Sequence, residues 1–141
     1  MYPEGVEILI VDHDAARRRL AETILRNEGF PVTAVSEGLA ALRAIARQDF
    51  ALVIAAIALP GMLDGTTTMR RARMRRPRLK VLMIAEPTQP PRWRGRDGDD
   101  AVVAPFERWE LLGCVFELLQ RDTAFEAIDL ARRCRSVAHA S

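Results

Sequence analysis

The sequence predicts an α/β fold, a doubly wound five-stranded parallel sheet, on three observations. Short apolar runs rich in Ile and Val alternate with segments of helical periodicity along most of the chain. That alternation is the pattern of βαβ units packed on both faces of a parallel sheet. The runs are also continuous rather than alternating in polarity, as strands buried on both sides are. Finally, the chain has 141 residues, 49% of them apolar, enough for one domain that buries roughly two-thirds of its unfolded surface.

Val6–Val11 is apolar apart from Glu7 and reads as the first strand. Asp14 can cap a helix running to about Glu28, with Leu20, Ala21, Ile24 and Leu25 as its apolar stripe and Gly29 as its stop. Pro31–Val35 reads as the second strand. Ser36 then offers a cap for a helix whose inner face is Leu39, Leu42, Ile45 and Ala46. Ala51–Ala56 is the third strand, closed by Leu59-Pro60-Gly61. A basic helix follows from Thr66 to about Arg76 and stops before Pro77. Lys80–Ala85 and Ala101–Ala104 supply the fourth and fifth strands. Arg108–Leu119 carries Trp109, Leu112, Val115, Phe116 and Leu119 at helical spacing, which places Trp109 in the core or at a helix interface.

The fourth crossover, Glu86–Asp100, breaks this rhythm with Pro87, Pro90, Pro91, Gly95 and Gly98. Proline removes an amide donor and clashes with the preceding turn, and an interior glycine costs about 1 kcal/mol. An extended crossover with its helix shortened or absent is expected there. Residues 1–120 form the predicted domain, and 121–141 a helical or disordered tail with a thin stripe of Phe125, Ile128 and Ala131.

Composition excludes several classes. The longest uncharged stretch, Phe50–Leu63, has 14 residues and contains Pro60 and Gly61; a membrane helix needs about 20. The first residues are acidic where a signal peptide would be basic and then apolar, so a soluble cytoplasmic protein is expected. Charge is nearly balanced, 21 basic against 19 acidic, and no overall field calls for a nucleic-acid or membrane partner. Cys114 and Cys134 have neither CxxC spacing nor a histidine cluster, which argues against a disulfide framework or zinc site.

In open α/β sheets the ligand site lies at the carboxyl ends of the strands. Here those ends are Asp12-His13-Asp14, Ala55-Ala56, Ala85-Glu86 and Val103 to Phe106. With "ILIVDHD" at the first strand, "LVIAAIALPGMLDG" around the third, "KVLMIAE" at the fourth and "VVAPF" at the fifth, the chain resembles the receiver domain of bacterial two-component response regulators over about residues 6–120. The resemblance implies a flavodoxin-like sheet in the order 2-1-3-4-5. It implies a Mg²⁺ site on a pair of acids after the first strand and a phosphoacceptor aspartate ending the third. It also implies a Ser/Thr ending the fourth strand and a lysine before Pro-Phe.

Asp12 matches the first acid, but His13 stands in place of the second and Ala56 in place of the phosphoacceptor. Ala85 replaces the Ser/Thr, Ala104 the lysine and Ala101 the switch aromatic. Alanine has no nucleophilic oxygen, so Ala56 cannot form an acyl phosphate. One carboxylate and an imidazole are poor ligands for Mg²⁺, which wants hard oxygens in octahedral array. The joint loss of the acid at 56 and the lysine at 104 avoids stranding either charge, which would cost about 3–5 kcal/mol. The lengthened Met62-Leu63-Asp64-Gly65 loop reshapes the surroundings of the pocket.

Other features have sharper and plainer readings. Asp12, His13 and Asp14 are either a new metal site or, by strand alternation, a helix cap beside a surface histidine; the alternation favours the cap. His13 between two carboxylates also suggests a proton switch near neutral pH. Arg70, Arg71, Arg73, Arg75, Arg76, Arg78 and Lys80 place seven positive charges in 11 residues. No aromatic is interleaved for base stacking, which favours a solvated face over a nucleic-acid site. Trp93, between Arg92 and Arg94, either folds over the sheet or is a partner anchor.

Together these features predict an atypical, stand-alone, phosphorylation-independent regulator with no cofactor, acting by protein contact. The expected contact residues are Arg92, Trp93, Arg94, Ala101 and Trp109. Its implied partners are a histidine kinase, another regulator or a second copy of the chain. A nucleic-acid module using the arginine helix is the alternative, as is a small-molecule sensor lined by Ala56, Ala85, Ala104 and Leu63. An enzyme is not expected, since the strand ends carry no nucleophile triad, Gly-rich phosphate loop or catalytic carboxylate pair.

Overall fold

The computed structural model describes residues 6–87 and 100–120. Most of the expected crossover Glu86–Asp100, residues 88–99 with Arg92, Trp93 and Arg94, and the tail 121–141 lie outside the described residues.

Five strands form one parallel sheet: β1 (Ile8–Val11), β2 (Val32–Val35), β3 (Leu52–Ala56), β4 (Val81–Ala85) and β5 (Asp100–Val103). Their spatial order is β2-β1-β3-β4-β5, as the resemblance implied, with every pair parallel. The four described helices are α1 (Ala15–Asn27), α2 (Gly38–Arg47), α3 (Gly65–Arg75) and α4 over 108–120. β1, β3 and β4 are buried along their whole length, which explains their unbroken apolar sequence.

Alternation along the strands sends side chains to two cores. Ile8, Ile10, Ile54, Leu82 and Ile84 join Leu25 of α1 and Leu111 and Val115 of α4 on one face. Leu9, Val11, Val53 and Met83 join Ala41 and Ile45 of α2 and Met69 of α3 on the other. α1 and α4 thus cover one side of the sheet and α2 and α3 the other.

Three details differ from expectation. Leu20, Leu39 and Ala46 are exposed, because they lie about 90° to 130° around their helices from the centre of the buried arc, Ala21, Ile24 and Leu25 in α1 and Gly38, Ala41 and Ile45 in α2. α2 is entered through Glu37, which makes no side-chain cap bond, so Ser36 is not its cap. Trp109 is 73% exposed, not core, because the buried arc of α4 centres on Leu111, Val115 and Leu118 and Trp109 falls on its far side.

Candidate functional site

The carboxyl edge of the sheet gathers the strand-end residues that the sequence singled out. Val11 pairs with Ala55, which sets Asp12 level with Ala56. Ala85 pairs with Val103, and the Ala104 amide donates to the Ala85 carbonyl at 2.8 Å. Ala56, Ala85 and Ala104 are all buried, and the Ala104–Pro105 peptide is cis. Ala101 of β5 is exposed.

Asp12 is completely buried, with no exposed surface. Its side chain falls on the α1 side of the sheet, and the start of α1 meets it. Asp14 caps α1 by accepting from the Arg17 amide at 3.0 Å, and that cap fixes where the first turn points. Arg17 then reaches back with two nitrogens: its Nε donates to Asp12 Oδ2 and its Nη2 to Asp12 Oδ1, the latter at 2.8 Å. The Asp14 amide also donates to Asp12 Oδ1, at 3.0 Å. Arg18 Nη1 takes the Asp12 carbonyl at 2.8 Å.

Arg17 Nη1 lies 3.7 Å from Glu86 Oε1, just past β4. Its hydrogen bonds to Asp12 outweigh burial and hold the guanidinium yet more firmly protonated than usual. A charged, planar fork on a buried carboxylate is the strong form of such a pair. Sequence reading missed Arg17, because Arg17-Arg18-Arg19 looks like one solvated run. The signal was Asp12 itself, a strand-end acid left without a metal partner.

His13 keeps its side chain 42% exposed, with Nδ1 3.8 Å from Asp12 Oδ1. Asp14 is held below the ordinary carboxylate value chiefly by the Arg17 amide, with help from the Arg17 charge, the Ala16 amide and His13.

A divalent cation, which the resemblance implies, finds few donors here. The Asp12 oxygens are engaged by Arg17 and the Asp14 amide, and Ala56 contributes no side-chain oxygen. Among the described residues, no three His, Cys, Asp or Glu side chains converge as a metal site. The residues present do not fit Mg²⁺.

α3 begins hard against the end of β3. The Gly65 amide donates to the Ile57 carbonyl at 2.8 Å, and a Cβ on Gly65 would sit 1.9 Å from the Ala56 carbonyl oxygen. Asp64 caps α3 through the Thr67 amide at 2.7 Å. Leu63 is half-buried against Gly38 at the start of α2.

The basic segment divides in two. Arg73 holds the Leu79 carbonyl, Arg76 holds the Ile45 carbonyl and Asp49, and Lys80 holds the Leu119 carbonyl. Arg70, Arg71, Arg75 and Arg78 are exposed, with Met74 81% exposed among them.

This edge, on this sheet order, is the receiver architecture. The family model of the response regulator receiver domain matches residues 8–112, and the chain belongs to that family. It is 31% identical over 121 residues to the "Probable transcriptional regulatory protein TcrX" of Mycobacterium tuberculosis, covering 84% of this chain and 51% of that protein. It is 33% identical over 126 residues to the "Transcriptional regulatory protein GltR" of Pseudomonas aeruginosa, covering 86% and 52%. The chain thus spans about half the length of the curated relatives it matches. Among solved structures it is similar to a response regulator receiver protein from Sinorhizobium medicae, at 28% identity and a TM-score of 0.76 over 83% of this chain and 96% of that one. It is also similar to NtrX from Brucella abortus, at 26% identity and a TM-score of 0.77, over 96% of this chain and 31% of that one.

Proposed function

We propose that this chain is an atypical receiver that signals by protein–protein contact without accepting a phosphoryl group. The observation that carries the reading is the end of β3, where Ala56 holds the phosphoacceptor position with a methyl group. Acyl phosphate formation needs a carboxylate oxygen as nucleophile. Ala85 and Ala104 offer neither hydroxyl nor ammonium to read out a phosphate, and Asp12 is already neutralised by Arg17. The reading is non-enzymatic and uses no cofactor. Its partner is a histidine kinase, another regulator or a second copy, and the names of the curated relatives suggest transcription as the output.

The test is incubation of the purified chain with acetyl phosphate and Mg²⁺, followed by intact-mass measurement. No phosphoryl adduct is expected, and a hydroxylamine-labile adduct overturns the reading. Affinity capture from lysate of the protein's own source then addresses the partner, in nuclease-treated and untreated halves. Retention of a kinase or regulator, equal with and without the phosphodonor, supports protein contact. The four exposed arginines of the α3 region favour a second reading, nucleic-acid binding. Retention lost with nuclease and steeply weakened by salt would select it.

A further inference from the structure

We infer that Arg17 is the resident cation of the strand-end site: its guanidinium occupies Asp12 and closes the site to divalent metal. The bidentate pairing, the zero exposure of Asp12 and the start of α1 against β1 carry the inference. It deepens the proposed function, since it names what fills the pocket, but it stands on the Arg17 geometry and not on how the chain signals.

A buried carboxylate must be paired or neutralised. Two routes satisfy Asp12 at this edge: a metal ion delivered from solution, or a cation built into the chain. Arg17 takes the second. Its fork matches both carboxylate oxygens, and a guanidinium is weakly hydrated and suited to burial. Its side chain is only 14% exposed. The attachment is reinforced at both ends of the turn, by the Asp14 cap and by Arg18 on the Asp12 carbonyl. Glu86 flanks the outer nitrogen, so the cation spans the ends of β1 and β4.

A divalent ion entering here would have to displace this guanidinium and then lie beside a fixed positive charge. Restoring the family's missing acids would therefore not by itself restore a metal site. That consequence separates the inference from a mere loss of ligands. If missing acids were the whole reason, returning them would suffice; if Arg17 fills the place, it must also leave.

The experiment compares His13→Asp/Ala56→Asp with His13→Asp/Ala56→Asp/Arg17→Gln in the full chain. Free Mn²⁺ is followed by electron paramagnetic resonance during titration. Removal of Arg17 is expected to tighten Mn²⁺ binding about tenfold or more, a difference of about 1.4 kcal/mol or more. Equal affinity in the two variants, including no saturable binding by either, overturns the inference. If the triple variant does not fold, His13→Asp/Ala56→Asp/Arg17→Met takes its place in the same comparison. Mn²⁺ raising its Tm while leaving His13→Asp/Ala56→Asp unmoved supports the inference, and an equal Mn²⁺ effect on the two, or none on either, overturns it. A merely structural role for Arg17 would lower the Tm but create no dependence on Mn²⁺. Wild-type phosphorylation would sink the proposed function while leaving this comparison standing.

Discussion

At the scale of single residues, the site turns on whether a buried charge has a partner. Asp12 is buried without residual exposure and Arg17 supplies its counter-charge through two hydrogen bonds. Removing one member of such a pair costs about 3–5 kcal/mol, whereas removing both is often close to neutral. Arg17→Met is therefore expected to lose about that much in urea unfolding. Asp12→Asn/Arg17→Met should recover most of the loss, because the Asp14 amide still finds an acceptor at position 12. A double variant no more stable than Arg17→Met would show that the pair is not what holds this edge. The missing oxygens at 56, 85 and 104 were legible in the sequence, since an alanine is an alanine wherever it folds. Arg17 was not. Its role depends on a helix turning back over a strand end, and only the Asp14 cap and the packing of α1 fix that turn.

At the scale of elements, the order of strands and helices followed from where apolar runs and periodic segments alternate. Faces and ends followed less well. Spacing identifies a stripe but not its centre, so Leu20, Leu39 and Trp109 were assigned inward although neighbouring residues define the buried arcs. Caps were legible where an aspartate precedes the helix, as Asp14 does for α1. The Arg17 amide holds the Asp14 carboxyl below its ordinary value of 3.8. A lowered folded-state pKa means stabilisation that is fully present above the unfolded value and lost as pH falls through the folded one. The stability difference between the wild type and Asp14→Ala is thus expected to be level from neutral pH down to about 5 and to shrink below pH 3.8. Chemical unfolding of both proteins across that range measures it, and a difference that grows on acidification would contradict the cap assignment.

At the scale of the whole molecule, the sheet divides the protein into two apolar layers, and β1, β3 and β4 feed both. The strand-end site sits where these shared strands finish, so its geometry is tied to the best-buried part of the fold. Large apolar side chains exposed outside the layers bury little area and are expected to contribute little to that stability. Trp109, 73% exposed on the outer side of α4, is the largest of them among the described residues. Substituting a surface side chain that packs against little changes stability by about 0.5 kcal/mol or less, so Trp109→Ala should melt with the wild type. In a Trp93→Phe background, Trp109 is the only tryptophan. Its emission should then be red-shifted and readily quenched by acrylamide, and binding of a protein partner through this side should blue-shift and shield it. A destabilised Trp109→Ala together with a shielded Trp109 in the free protein would return this residue to the core. The same pair of measurements thus decides whether α4 presents Trp109 as a contact or uses it to hold the fold.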